Sequence, residues 1–150
     1  MSDLRNLYQE MIVDHGRAPR NFGSLDKVTH CSEGYNPLCG DQVTLYVDEQ
    51  EGVIRALRFT GKGCAISIAS ASLMTEALEG KTLAAAEQLF ERFHLLVTKN
   101  NQLADGETDL GKLAVFKNLS EFPMRVKCAT LAWHTLKAAL AENKKAVSTE

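Results

Sequence analysis

The stretch Val43-Thr44-Leu45-Tyr46-Val47-Asp48-Glu49-Gln50-Glu51-Gly52-Val53-Ile54-Arg55-Ala56-Leu57-Arg58-Phe59 decides the fold. Val43, Leu45 and Val47 alternate with Thr44, Tyr46 and Asp48, the period-two pattern of a half-buried strand. Gly52 closes a turn, and Val53 to Phe59 runs back with Leu57 and Phe59 on one face. Connections this short join antiparallel neighbours, because parallel pairing needs a long crossover. A weaker strand is expected upstream, over Lys27 to Glu33, completing an antiparallel meander.

Downstream of Gly61-Lys62-Gly63 the period turns helical. Ile66, Ala69, Leu73 and Ala77 form one stripe that ends at Gly80, and Leu83, Ala86, Phe90, Phe93 and Val97 form another over Thr82 to Val97. At the other end of the chain, Leu4, Leu7, Tyr8, Met11, Ile12 and His15 mark a first helix, with Ser2 or Asp3 as its cap and Gly16 as its stop. Residues 99 to 108 read as a polar loop, Asp109 to Leu119 as a short helix, and Pro123 as a break. A last helix is expected from near Arg125, with Ala129, Ala132, Leu136 and Leu140 on its face. The tail over 142–150 is expected to fray. Strands followed by helices predict an α+β fold, with the helices covering one face of a small sheet. His15 reads as a helix-end residue, His94 as a partly buried structural histidine, and Trp133 as packing.

Composition narrows the function classes. The 150 residues are 45% apolar, enough for one domain (1–150) to bury its own core. Seventeen basic residues against nineteen acidic ones leave a formal charge of −2, which speaks against a nucleic-acid partner. No apolar run approaches the roughly 20 residues of a membrane span. Met1-Ser2-Asp3-Leu4-Arg5 lacks the basic-then-apolar start of a secretion signal, so a cytoplasmic protein is expected.

The chemistry lies in the cysteines, four in all: Cys31, Cys39, Cys64 and Cys128. In a reducing compartment such thiols are buried, metal-bound or reactive more often than disulfide-linked. Three stand at element boundaries. Cys39 lies in the loop before a strand, Cys64 opens a helix after Gly-Lys-Gly, and Cys128 opens the last helix. Helix N-termini favour thiolate over thiol. Gly40, Gly61 and Gly63 permit close backbone approach. If the three converge, they and the Asp41 carboxylate make a sulfur-rich four-ligand set that suits zinc or iron–sulfur chemistry rather than magnesium or calcium. Asp41 has an alternative reading as a turn cap. Lys62, Arg125 and Lys127 read either as counter-charges to such a site or as solvated surface cations. Cys31 reads as a small buried or half-buried thiol on the first strand.

Asn36-Pro37-Leu38-Cys39-Gly40-Asp41, Gly61-Lys62-Gly63-Cys64-Ala65-Ile66-Ser67 and Lys127-Cys128 resemble the three ligand motifs of the IscU/NifU-like iron–sulfur cluster assembly family. Asp14-His15-Gly16-Arg17-Ala18-Pro19-Arg20-Asn21 resembles that family's N-terminal signature, and the four occur in the family's order across nearly the whole chain. The resemblance implies a SufE/NifU-like fold: a three-stranded antiparallel sheet with about five helices packed against it. It implies Cys39, Asp41, Cys64 and Cys128 as ligands of Zn²⁺, or alternatively of iron or a [2Fe–2S] cluster. Lys127 stands where housekeeping scaffolds carry histidine. Glu121-Phe122-Pro123-Met124-Arg125-Val126-Lys127 replaces their Leu-Pro-Pro-Val-Lys chaperone motif. Both departures, with the long stretch between Lys99 and Phe122, resemble the SufU branch.

That branch implies a zinc-dependent sulfurtransferase partnered by a SufS-type pyridoxal-phosphate cysteine desulfurase and by downstream iron–sulfur assembly machinery. Cys39 is then the expected acceptor of persulfide sulfur, with Arg125 or Lys127 stabilising the anionic sulfur. Two other functions fit the same residues: a scaffold that assembles a [2Fe–2S] cluster, and a partner-binding domain with structural zinc.

Overall fold

The computed structural model describes residues 2–98, 107–141 and 147–148. The chain runs α1 (Ser2–Arg17), β1 (His30–Asn36), β2 (Asp41–Gln50), β3 (Val53–Lys62), α2 (Ala65–Leu78), α3 (Leu83–Thr98), a 3₁₀ segment (Glu107–Glu121), α4 (Pro123–Leu140) and β4 (Val147–Ser148). The three long strands form the antiparallel meander, with β2 in the centre and five helical elements around it. None of the described helices is long and apolar enough to cross a membrane.

β2 behaves as its alternation dictates: Val43, Leu45 and Val47 are buried, as are Leu57 and Phe59 opposite them on β3. β1 begins three residues later than expected from the sequence. Its inward positions are Ser32, Gly34 and Asn36, so the alternation of burial leaves no apolar trace. Gly34 sits there because a Cβ would collide with Thr135 Oγ1, which lets α4 lie close against the sheet. The same alternation puts Cys31 on the outer face, where it is exposed rather than buried.

α2 is the central helix, buried from Ser67 to Thr75. Ser70 is satisfied across the helix interface: its Oγ donates to the Ala129 carbonyl, and Trp133 Nε1 donates to Ser70 Oγ at 3.1 Å. Trp133 is fully buried, stacked on Phe93 with centroids 4.5 Å apart. His94 is exposed, lying parallel to Phe90, and His134 meets Phe90 edge-on.

Three helix boundaries differ from expectation. Gly16 lies inside the last turn of α1 instead of ending it, because a Cβ there would come within 3.1 Å of Ala65 and α1 packs tightly on α2. The expected short helix over Asp109–Leu119 is 3₁₀ and broken at Gly111 (φ 56°, ψ −127°), while Leu113, Val115, Phe116 and Leu119 still reach the core. Pro123 opens α4 rather than preceding it, since proline at the first helical position loses no hydrogen bond. The expected loop over 99–108 lies outside the described residues through position 106. Of the expected frayed tail over 142–150, Val147–Ser148 pairs parallel to Gly34 and Tyr35 on β1; the remainder lies outside the described residues.

Candidate metal centre

Four chain segments meet at one end of the sheet. Asn36 pairs with Asp41 across the β1–β2 hairpin, so the loop Pro37–Gly40 is the hairpin tip. This loop is closed by Asn36, whose backbone carbonyl accepts from the N–H groups of Cys39 (3.3 Å) and Gly40 (2.9 Å). Asn36 Oδ1 accepts from Leu38 N–H at 3.2 Å. Gly40 takes φ +73°, which turns the chain into β2 with Cys39 held at the tip.

β3 ends beside the first residues of β2, with Lys62 opposite Gln42. A Cβ on Gly63 would overlap Asp41 Oδ1, so only glycine lets the β3–α2 turn lie against the carboxylate. Asp41 is fully buried, and its Oδ1 accepts from Cys64 N–H at 2.9 Å. Cys64 caps α2: its Sγ accepts from Ser67 N–H at 3.4 Å and lies 4.0 Å from Asp41 Oδ2.

Cys128 comes in from the first turns of α4 and is 4% exposed. Ligand atoms of Cys39, Asp41 and Cys128 all lie within 4.8 Å of one another. A tetrahedral zinc with bonds near 2.3 Å to sulfur holds its ligand atoms roughly 3.8 Å apart. The cluster therefore needs only a modest contraction to close on a cation. Of the set expected from the sequence, the structure brings Cys39, Asp41 and Cys128 together; Cys64 lies outside that group, its Sγ 4.0 Å from Asp41 Oδ2.

Burial pushes the Cys128 thiol well above its ordinary range; hydrogen bonds with Asp41 and Cys39 and the charges of Cys64 and Asp41 push the same way. A cation at the cluster inverts this logic, since it favours thiolates and expels their protons. The raised value carries a stability prediction for the metal-free protein. The unfolded thiol titrates near 9.0. Above that pH the folded state holds a proton that the unfolded state has lost, so stability falls as pH rises, by at most about 1.4 kcal/mol per pH unit. Metal-free protein is expected to show this alkaline slope in chemical denaturation from pH 8.5 upwards, and Cys128→Ser to reduce it, leaving the smaller contribution of Cys31, whose thiol burial and Glu33 also push up.

The two cations sit differently. Arg125, one helical turn before Cys128, is exposed, with its guanidinium 4.6 Å from the Phe122 ring centroid. Among the described residues it makes no hydrogen bond to a sulfur of the cluster. Lys127 is half-buried, about 100° around the helix from Cys128. Cys31 stays outside the cluster.

The N-terminal signature works as a clamp. Ser72 Oγ accepts from Arg20 N–H (2.8 Å) and shares a hydrogen bond with His15 Nδ1 at 2.7 Å. Asn21 donates to Thr75 Oγ1, and Arg20 pairs with Asp14 at 2.8 Å. Buried His15, read from the sequence only as a helix-end residue, thus joins α1 to α2 without reaching the cluster.

Residues 7–129 match the family model described as the NifU-like N-terminal domain. The chain is 37% identical over 146 residues to the iron–sulfur cluster assembly scaffold protein IscU of Streptococcus pyogenes, covering 97% of this chain and 90% of that one. It is 35% identical over 143 residues to the zinc-dependent sulfurtransferase SufU of Bacillus subtilis, covering 95% of each. A crystal structure of the iron–sulfur cluster assembly scaffold protein for the SUF system from Fervidobacterium islandicum superposes with a TM-score of 0.80 at 35% identity. That match covers 87% of this chain and 94% of that one.

Proposed function

The chain belongs to the NifU-like N-terminal domain family, and on that premise we propose that it serves iron–sulfur cluster assembly by accepting persulfide sulfur on Cys39. One observation carries this reading. Cys39 is exposed at a hairpin tip; Asp41 and Cys128 are held by burial, and Cys64, though also exposed, caps α2. Of the two exposed thiols at the centre, Cys39 is the one whose movement leaves a helix cap intact.

The donor set fits zinc: the sulfurs of Cys39 and Cys128 and an Asp41 oxygen lie together, Cys64 beside Asp41 would supply a fourth ligand, and the raised Cys128 thiol needs a cation before it ionises. Cys39, Asp41, Cys64 and Cys128 would hold it, and zinc would supply the positive charge that keeps the thiols deprotonated. The chain's own part is then nucleophilic. Cys39 thiolate attacks the outer sulfur of a persulfide on a SufS-type cysteine desulfurase. A new S–S bond forms at Cys39, the donor's S–S bond breaks, and the donor cysteine leaves as thiolate. Arg125, one turn before Cys128, or Lys127, next to it, is the cation we assign to the new anionic sulfur. The resemblance to SufU supports the zinc reading; the resemblance to IscU supports a second one, in which the same ligands carry a [2Fe–2S] cluster for transfer to apo-proteins.

The discriminating experiment is alanine production by a SufS-type desulfurase with the zinc-loaded protein added. Saturable stimulation is the expected result. Zinc retained without stimulation, together with a labile cluster that passes to apo-ferredoxin after anaerobic reconstitution, would overturn the acceptor reading in favour of the scaffold. Retained zinc with neither activity would leave a structural metal.

A further inference from the structure

Asn36 is fully buried, and its Nδ2 has no hydrogen-bond partner among the described residues. The orientation of the amide is fixed by chemistry. Its other arm accepts from Leu38 N–H, and only the oxygen can accept, so the NH₂ group is the unmet one. Asn36 stands directly opposite Asp41 in the β1–β2 ladder, and cross-strand partners project to the same face of a sheet. That face carries the cluster of Cys39, Asp41 and Cys128. The backbone of the same residue closes the loop that bears Cys39. An orphaned buried donor is costly, and one beneath a group of thiols has an acceptor in prospect: a sulfur that becomes anionic.

We propose that Asn36 Nδ2 donates an N–H···S hydrogen bond to Cys39 in its thiolate form. The inference rests on the metal-holding reading of the centre and deepens it. The proton stays on nitrogen; the bond holds the sulfur in place and takes up part of its charge, as partners outside the ligand set do at metal centres. Asn36 is thus a positioning residue, acting through Cys39.

Cobalt(II) alone is the probe, because its sulfur-to-metal charge-transfer band reports the energy of the sulfur lone pairs. Asn36→Ser keeps a hydroxyl to accept from Leu38 N–H and removes the amide donor. Circular dichroism and the melting temperature of the metal-free variant establish that it folds. Its charge-transfer band is expected to move to longer wavelength, since a sulfur without its donor holds its electrons less tightly. Zinc affinity, by chelator competition, is expected to fall about tenfold. If Asn36→Ser does not fold, Asn36→Asp serves instead: it keeps the accepting oxygen, puts a second oxygen in place of the donor nitrogen and is expected to move the band the same way. An unmoved band with zinc affinity within twofold of the parent overturns the proposal. A parent protein that binds no cobalt overturns the metal centre itself and this inference with it.

Discussion

Cys39→Ala is expected to abolish the stimulation of a SufS-type desulfurase completely, leaving alanine production at the rate of the desulfurase alone. The loss is total rather than partial because the thiolate is the nucleophile, and no neighbouring thiol is free to replace it. Cys128 is buried, and Cys64 accepts the Ser67 N–H at the start of α2, so either would have to give up a structural contact to reach a donor persulfide. The fold is expected to be indifferent. Cys39 is exposed at a loop tip, and surface truncations of this kind change stability by less than about 0.5 kcal/mol. Measured together, melting temperature and alanine production separate loss of the acceptor from loss of the protein. Appreciable stimulation by a folded Cys39→Ala would remove this cysteine from the mechanism.

Asp41→Asn is expected to move stability and metal affinity in opposite directions. Without a cation, a fully buried carboxylate is a burden: its desolvation costs several kcal/mol, and the Cys64 N–H repays only part. Asparagine keeps an oxygen for that N–H and drops the charge. The metal-free variant should therefore be more stable than the parent, by about 1–2 kcal/mol. Zinc affinity should fall by about a hundredfold or more, because an anionic ligand is gone. Denaturant unfolding of the metal-free proteins and chelator competition check the two halves independently. A variant both less stable and equally tight for zinc would mean that Asp41 is a structural cap and no ligand.

How far the sequence could be read depended on what each element buries. β2, β3 and α3 bury apolar side chains at regular spacing, and their limits were legible to within a few residues. β1 buries Ser32, Gly34 and Asn36 instead, so its register is visible only once α4 is seen lying against Gly34. The 3₁₀ segment contributes Leu113, Val115, Phe116 and Leu119 to the core at a spacing that matches no regular α-helix, broken as it is by Gly111.

The ligand candidates were legible because Cys39 and Cys64 adjoin glycine at element boundaries and the motifs bearing Cys39, Cys64 and Cys128 stand in a family order. The glycines had a physical meaning that the structure makes specific: Gly63 is where a backbone passes against Asp41. Asn36 was quoted only as part of a motif. Its unmet amide is a property of burial and of pairing with Asp41, neither of which a linear pattern displays. The fate of Arg125 is similar, since its stacking over Phe122 depends on where Pro123 starts the helix.

The most direct test of sulfur acceptance is to find the sulfur. Zinc-loaded protein is incubated with a SufS-type desulfurase and cysteine, alkylated, and mapped by peptide mass spectrometry. The account predicts one added sulfur atom on the peptide bearing Cys39, and none on those bearing Cys31, Cys64 or Cys128. A persulfide on another cysteine, or on none while the desulfurase turns over and zinc stays bound, would contradict it.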